Sequence, residues 1–89
     1  MIDLTKYNLD GDDIEFLYEI ENACVGGQNE IVLRYKDVSF VLEPHGEEIE
    51  IYAYGEVLGT YKSFEELLMC HKIDGKPLVE IVKDLEFGD

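Results

Sequence analysis

The stretch from Glu30 to Tyr61, EIVLRYKDVSFVLEPHGEEIEIYAYGEVLGTY, constrains the fold more than any other part of the chain. Ile31, Leu33 and Tyr35 alternate with Val32, Arg34 and Lys36, and Val38, Phe40 and Leu42 alternate with Ser39, Val41 and Glu43. A period of two sends successive side chains to opposite faces of a strand. A two-residue loop at Lys36-Asp37 sets Tyr35 opposite Val38 and Leu33 opposite Phe40, so the apolar sets of both strands share one face. Pro44-His45-Gly46 then breaks the run, and Glu47 to Tyr54 resumes it. A loop at His45-Gly46 predicts Leu42 opposite Ile49 and Phe40 opposite Ile51, again on one face. Gly55-Glu56 is the next expected turn, and Val57 to Tyr61 the last and outermost strand, with Gly59 marking a bulge.

An apolar sheet face must be covered. The cover is expected from both ends of the chain. Met1 to Asp10, with Ile2, Leu4 and Tyr7, reads as a short docking arm. In Asp12 to Val25 two periods compete. Ile14, Phe16, Tyr18 and Ile20 alternate with Glu15, Leu17, Glu19 and Glu21, as in a strand. On a helical wheel Glu15, Glu19 and Asn22 gather on one narrow face, and Glu21 is the one misfit among the apolar remainder. The ends select helix: Asp12 and Glu15 suit an N-terminal capping pair, and Gly26-Gly27 a left-handed stop. Ser63-Phe64-Glu65-Glu66 is a capping box opening a short helix over about 63–71, with Phe64, Leu67 and Leu68 as its buried stripe. Ile73-Asp74-Gly75-Lys76 is a turn. Pro77 then suits the first position of a helix over about 77–85, in which Leu78, Ile81, Val82 and Leu85 fall at i, i+3, i+4 and i+7. The predicted fold is α+β: one domain over 1–89, a two-layer sandwich with an antiparallel meander of about four strands over residues 30–61. An N-terminal helix (12–25) and short C-terminal helices (63–71 and 77–85) cover one face.

Eighty-nine residues suffice for a single small core. The first residues carry neither a basic segment nor an apolar one of the secretory kind, and no run approaches the ~18 apolar residues of a membrane span. The expected location is the cytoplasm, with no membrane partner. Two cysteines in such a chain, Cys24 and Cys70, read as reduced thiols that behave as small hydrophobes.

Motifs for chemistry are sparse. Ser39 and Ser63 lie in no nucleophile-elbow context, and Gly26-Gly27 is no phosphate loop. Cys70 and His71 are adjacent, but neighbouring helical side chains point about 100° apart. Cys70-His71 is the only Cys/His neighbour pair, with Cys24 and His45 distant in sequence, so no zinc site and no cofactor are expected. His45 reads as an exposed turn residue. With no acid, base or nucleophile placed beside a partner, the chain is expected not to be an enzyme.

Charge is the outlier. Twenty-one acids against seven bases give a formal net charge of −14. Such a field repels nucleic acid and attracts basic partners, and it also keeps a protein soluble. Between Lys36 and Lys62 there is no Lys or Arg, while Asp37, Glu43, Glu47, Glu48, Glu50 and Glu56 all fall in that interval. The meander's alternation points Glu43, Glu48, Glu50, Tyr52 and Tyr54 outward, with Glu43 opposite Glu48. The plainest account of this is a solvated face, partly compensated by Arg34 and Lys36. The functional account is a surface for a basic protein, made by these five residues with help from Glu15 and Glu19 on the first helix. Carboxylates interleaved with tyrosines present negative charge and flat rings, which a nucleic-acid-binding groove accepts. In size and charge alone, the chain is similar to DNA-mimic inhibitors of phage origin and to toxin-neutralising immunity proteins. The alternative is an assembly module, self-associating through the Val57 to Tyr61 strand or the Leu78 to Leu85 helix.

Overall fold

In the computed structural model, which describes residues 3–88, the meander forms as the alternation requires. Strands β1 (Ile31–Tyr35), β2 (Val38–His45), β3 (Glu48–Ala53) and β4 (Glu56–Tyr61) follow one another in antiparallel hairpins. Leu33, Tyr35, Phe40, Leu42, Ile49, Ile51 and Ala53 are buried on one face. Ile31 is half-buried, and Val38, at a strand end, stays 40% exposed. Helix α1 (Gly11–Glu21) and helix α2 (Phe64–Cys70) cover that face and contribute Leu17, Ile20, Phe64, Leu67 and Leu68 to the same apolar cluster. The fold is the α+β sandwich with a meander that the patterning predicts.

The first hairpin has the predicted register, Tyr35 opposite Val38 and Leu33 opposite Phe40. The second is shifted. Leu42 lies opposite Ile51 and Glu43 opposite Glu50, with His45 opposite Glu48, so the loop is Gly46-Glu47 rather than His45-Gly46. Gly46 takes φ +67° at the first loop position, a conformation that glycine adopts without a Cβ clash. The shift moves each partner by two residues, so the inward and outward sets are unchanged. The third loop is Tyr54-Gly55 rather than Gly55-Glu56. Both its residues have positive φ (53° and 79°), which matches the handed twist of a tight hairpin. The pairing of β3 with β4 slips between Ile51 and Tyr52, so the bulge opposite them takes up Leu58, next to the anticipated Gly59.

The α1 cap differs in detail. Asp10, not Asp12, is the cap, accepting from the Asp13 amide at 3.0 Å. The helix runs on into a π-helical turn, Asn22–Gly26, that buries Cys24. Gly27 is right-handed, and the left-handed residue is Gln28 at φ 54°. Gly27 is needed for space instead: a Cβ there would come within 2.6 Å of Asn29 Nδ2 and 3.0 Å of the Ala23 carbonyl. Gln28 then ties the helix end to the β2–β3 loop. Its amide donates to the Val25 and Gly46 carbonyls, both at 2.8 Å, and accepts from the Gly46 N–H at 3.0 Å.

The C-terminal segment departs most from expectation. In place of a helix over 77–85 there is a small hairpin of β5 (Lys72–Ile73) and β6 (Lys76–Pro77), closed by Asp74-Gly75 with both φ positive. Two 3₁₀ turns follow, Leu78–Glu80 and Val82–Asp84, then strand β7 (Leu85–Phe87). β7 pairs with the free edge of β1, giving five strands in the order β4-β3-β2-β1-β7. Leu78, Ile81, Val82 and Leu85 are all buried, so the spacing read burial correctly and pitch wrongly. An i, i+3 repeat also suits 3₁₀ turns, and three β-branched residues within Val79 to Val82 disfavour an uninterrupted helix. Across the β1–β7 pair, Arg34 and Glu86 form an ion pair, with Arg34 Nε donating at 2.9 Å. Phe87 meets Phe16 edge-on at 5.2 Å between centroids, fastening the closing strand to α1.

The N-terminal arm docks as expected from Leu4 onward; Ile2 lies outside the described residues. Leu4 is fully buried in a 3₁₀ turn, Leu4–Lys6. Lys6 pairs with Glu65 of α2, and Tyr7 donates to the same carboxylate at 3.0 Å, which holds Glu65 below the usual carboxylate range. Lys83 clamps Asp10 and Asp13 at the start of α1, and its ammonium is held well above its ordinary value by those two acids.

The wheel's one misfit is a structural finding. Glu21 is 9% exposed, and its Oε1 has no hydrogen-bond partner among the described residues. A buried, unpaired acceptor costs about 1–3 kcal/mol. Glu21→Met keeps the volume and removes the desolvated oxygens, so it should raise stability by about that amount, read as a higher urea midpoint. A lowered midpoint would show that Glu21 has a stabilising partner.

Candidate functional site: the outward face of the sheet

The face of the sheet turned away from α1 and α2 is built by the same alternation that makes the core. Its rows run across the strands. Val32, Val41, Tyr52 and Val57 are successive cross-strand partners and form one row, apolar apart from the tyrosine hydroxyl. Beside it Glu43, Glu50 and Thr60 form the next row, and His45 with Glu48 the third. Glu43 and Glu50 are directly opposed and only partly exposed, which is the like-charge neighbour relation expected for Glu43 with a different partner. Opposed carboxylates on neighbouring strands repel, and beside them His45 Nε2 lies 3.4 Å from Glu43 Oε2.

Tyr52 organises the border between the apolar and acidic rows. Its hydroxyl donates to Glu30 Oε2 at 2.7 Å. That bond first, then partial burial and the charges of Glu30, Glu43 and Glu50, push the phenol up to about 12. The phenol therefore stays protonated throughout the physiological range and keeps Glu30 beside the acidic row.

The predicted site residues are only partly brought together. Glu43, Glu48, Glu50 and Tyr52 share the outward face. Tyr54 is in the β3–β4 loop, 83% exposed, rather than on the face. Glu15 and Glu19 line a shallow groove on α1 with Phe16 and Asn22, in the layer that covers the opposite side of the sheet. They do not extend the acidic rows. The residue that sequence reasoning misplaced is His45. It ends β2 instead of forming the turn, and its position two residues from Glu43 puts both on one face. The ligand atoms of Glu43, His45 and Glu50 all lie within 4.8 Å of one another. The signal was present in the Glu-x-His spacing, but a search for Cys/His sets passes over it.

Cys70 and His71 do not form a nucleophile–base pair. Cys70 is exposed. His71 is 8% exposed and turned inward, where its Nδ1 is hydrogen-bonded to the Tyr61 hydroxyl at 2.8 Å. Gly59 makes this contact feasible, because a Cβ there would lie 2.9 Å from the Tyr61 oxygen. Burial pushes the His71 imidazole down from its ordinary value. Cys24 is buried, and burial pushes its thiol up to about 11, far from a reactive thiolate. Among the described residues no helix is long and apolar enough to cross a membrane.

No protein-family model matches the chain, and no curated protein or solved structure matches it.

His71 generates a pH prediction whose sign is fixed. Unfolded, it takes up a proton near pH 6.5, whereas folded it resists doing so to a lower pH. The unfolded state then binds more protons, so this contribution is complete above that range and is lost as pH falls towards the folded value. By NMR the His71 ring should titrate below pH 6.5. The stability advantage of wild type over His71→Phe should shrink between pH 7 and pH 5. Tyr61→Phe, which leaves the buried nitrogen unpaired, should cost about 1–3 kcal/mol.

Proposed function

We propose that the chain is a non-enzymatic binding or inhibitor protein that engages a basic protein surface through the outward face of β2 and β3. The observation that carries this reading is the pairing of two rows on one face. Glu43 and Glu50 lie beside the Val32, Val41, Tyr52 and Val57 row, with Glu48 one row further out, and no Lys or Arg occurs between residues 36 and 62. A partner with Lys or Arg flanking an apolar anchor meets both rows at once: the charges steer encounter and the apolar row supplies desolvated contact. The acids of the sheet form a patch two strands wide. A DNA-mimic inhibitor is one form of this reading, with the patch standing in for a short run of phosphates. Nucleic acid itself is repelled by a net charge of −14.

A second reading is favoured by a specific feature of β4. This strand is a sheet edge, and Val57 and Leu58 on it are 58% and 48% exposed. An open edge with apolar side chains accepts another strand, so β4 could serve self-assembly. The C-terminal stripe has no part in that reading, because Leu78, Ile81, Val82 and Leu85 are buried.

The two readings separate experimentally. Capture from lysate at low salt should retain a basic protein, with binding that weakens steeply as salt rises. Glu48→Lys with Glu50→Lys should reduce its association rate by at least about tenfold while the circular dichroism spectrum stays native. Unchanged affinity in that variant removes the acidic face from the site. Light scattering at low and high salt tests β4, since edge pairing gives a dimer insensitive to salt and the acidic-face reading gives a monomer.

A further inference from the structure

We propose that Glu43, His45 and Glu50 form a binding site for one divalent transition-metal ion, with zinc as the best-suited physiological candidate. The site follows from the register of the β2–β3 hairpin. Glu43 and His45 are two residues apart on one strand and so share a face, and Glu50 is the residue directly across from Glu43. Two ligands at i, i+2 and a third on the neighbouring strand converge on one point above the sheet, on elements held rigid by the core beneath them.

The distances suit a single ion. Bonds of about 2.1 Å to nitrogen and oxygen place adjacent ligands of a tetrahedral ion about 3.4 Å apart. His45 Nε2 and Glu43 Oε2 already stand 3.4 Å apart. The ligand atoms of all three residues lie within 4.8 Å of one another. Three protein ligands leave at least one position for water, as in open zinc sites.

The chemistry selects the ion class. The imidazole distinguishes this set from the other acids of the chain. An oxygen-only cluster favours calcium or magnesium, whereas nitrogen with two carboxylates favours zinc, and copper(II) more strongly in the affinity series. The charge balance points the same way. Glu43 and Glu50 repel each other across the hairpin, and no Lys or Arg side chain forms an ion pair with either among the described residues. A dication between them converts that repulsion into attraction, and Glu48 faces His45 across the strands as a further negative neighbour. The other histidine does not compete, because His71 is buried with Nδ1 bonded to Tyr61.

The site is tested on the full chain with zinc alone, without any protein partner, so its outcome is independent of the proposed acidic interface. Calorimetric titration at pH 7 in a non-chelating buffer should show one ion per chain. His45→Ala and Glu43→Gln should each weaken binding at least about tenfold, the scale seen when even supporting groups around a metal are lost. Glu15→Gln with Glu19→Gln, which removes two acids from the helix layer, should leave it unchanged. In the wild-type protein, zinc should shift the His45 ring resonances and leave those of His71 in place. If His45→Ala binds zinc as wild type does, or calcium binds as tightly as zinc, the chain holds only a diffuse atmosphere of cations and the site is overturned.

Discussion

Burial of the inward rows of β1, β2 and β3 is the interaction on which the other features rest. Leu33, Phe40, Leu42, Ile49 and Ile51 are each at most 2% exposed, in one cluster with the apolar stripes of α1 and α2. At roughly 1.5–3 kcal/mol for each large side chain, this row outweighs any surface ion pair in the molecule. It also fixes the surface. Since a strand's faces alternate, burying Leu42, Ile49 and Ile51 obliges Glu43, Glu48 and Glu50 to face out together. The acidic face is thus a geometric consequence of the core.

That dependence explains which parts of the structure were legible in the sequence. Period-two alternation survives a shift of two residues in register, so the faces of the second hairpin were readable although its loop was misplaced by one residue. The loop itself was set by backbone sterics at Gly46, which the side-chain pattern does not encode. The stripe from Leu78 to Leu85 was readable as buried, but an i, i+3 repeat is shared by α and 3₁₀ turns. The pairing of β7 with β1 is a long-range event that local periodicity leaves undetermined. Glu21 shows the converse. It was visible as a misfit on the wheel, and the structure places that misfit in the core.

For the candidate site, residue type was legible and proximity was not. Glu43, Glu50 and His45 are ordinary residues of an acidic chain until the hairpin register brings their ligand atoms within 4.8 Å. Glu15 and Glu19 show the opposite error: shared charge placed them in one group, and the two-layer architecture separates them. Net charge is a property of composition, whereas a surface is a property of register and layer. On this chain the second narrows the first from twenty-one acids to a patch on two strands.

The closing strand has a consequence for how the molecule comes together. β1 finds its outer partner in β7, and the Arg34–Glu86 pair that spans them is separated by 52 residues. Until residues 85–87 leave the ribosome, β1 presents a bare edge with Leu33 and Tyr35 on it. The nascent chain therefore passes through an interval in which its most hydrophobic strand still lacks its outer partner.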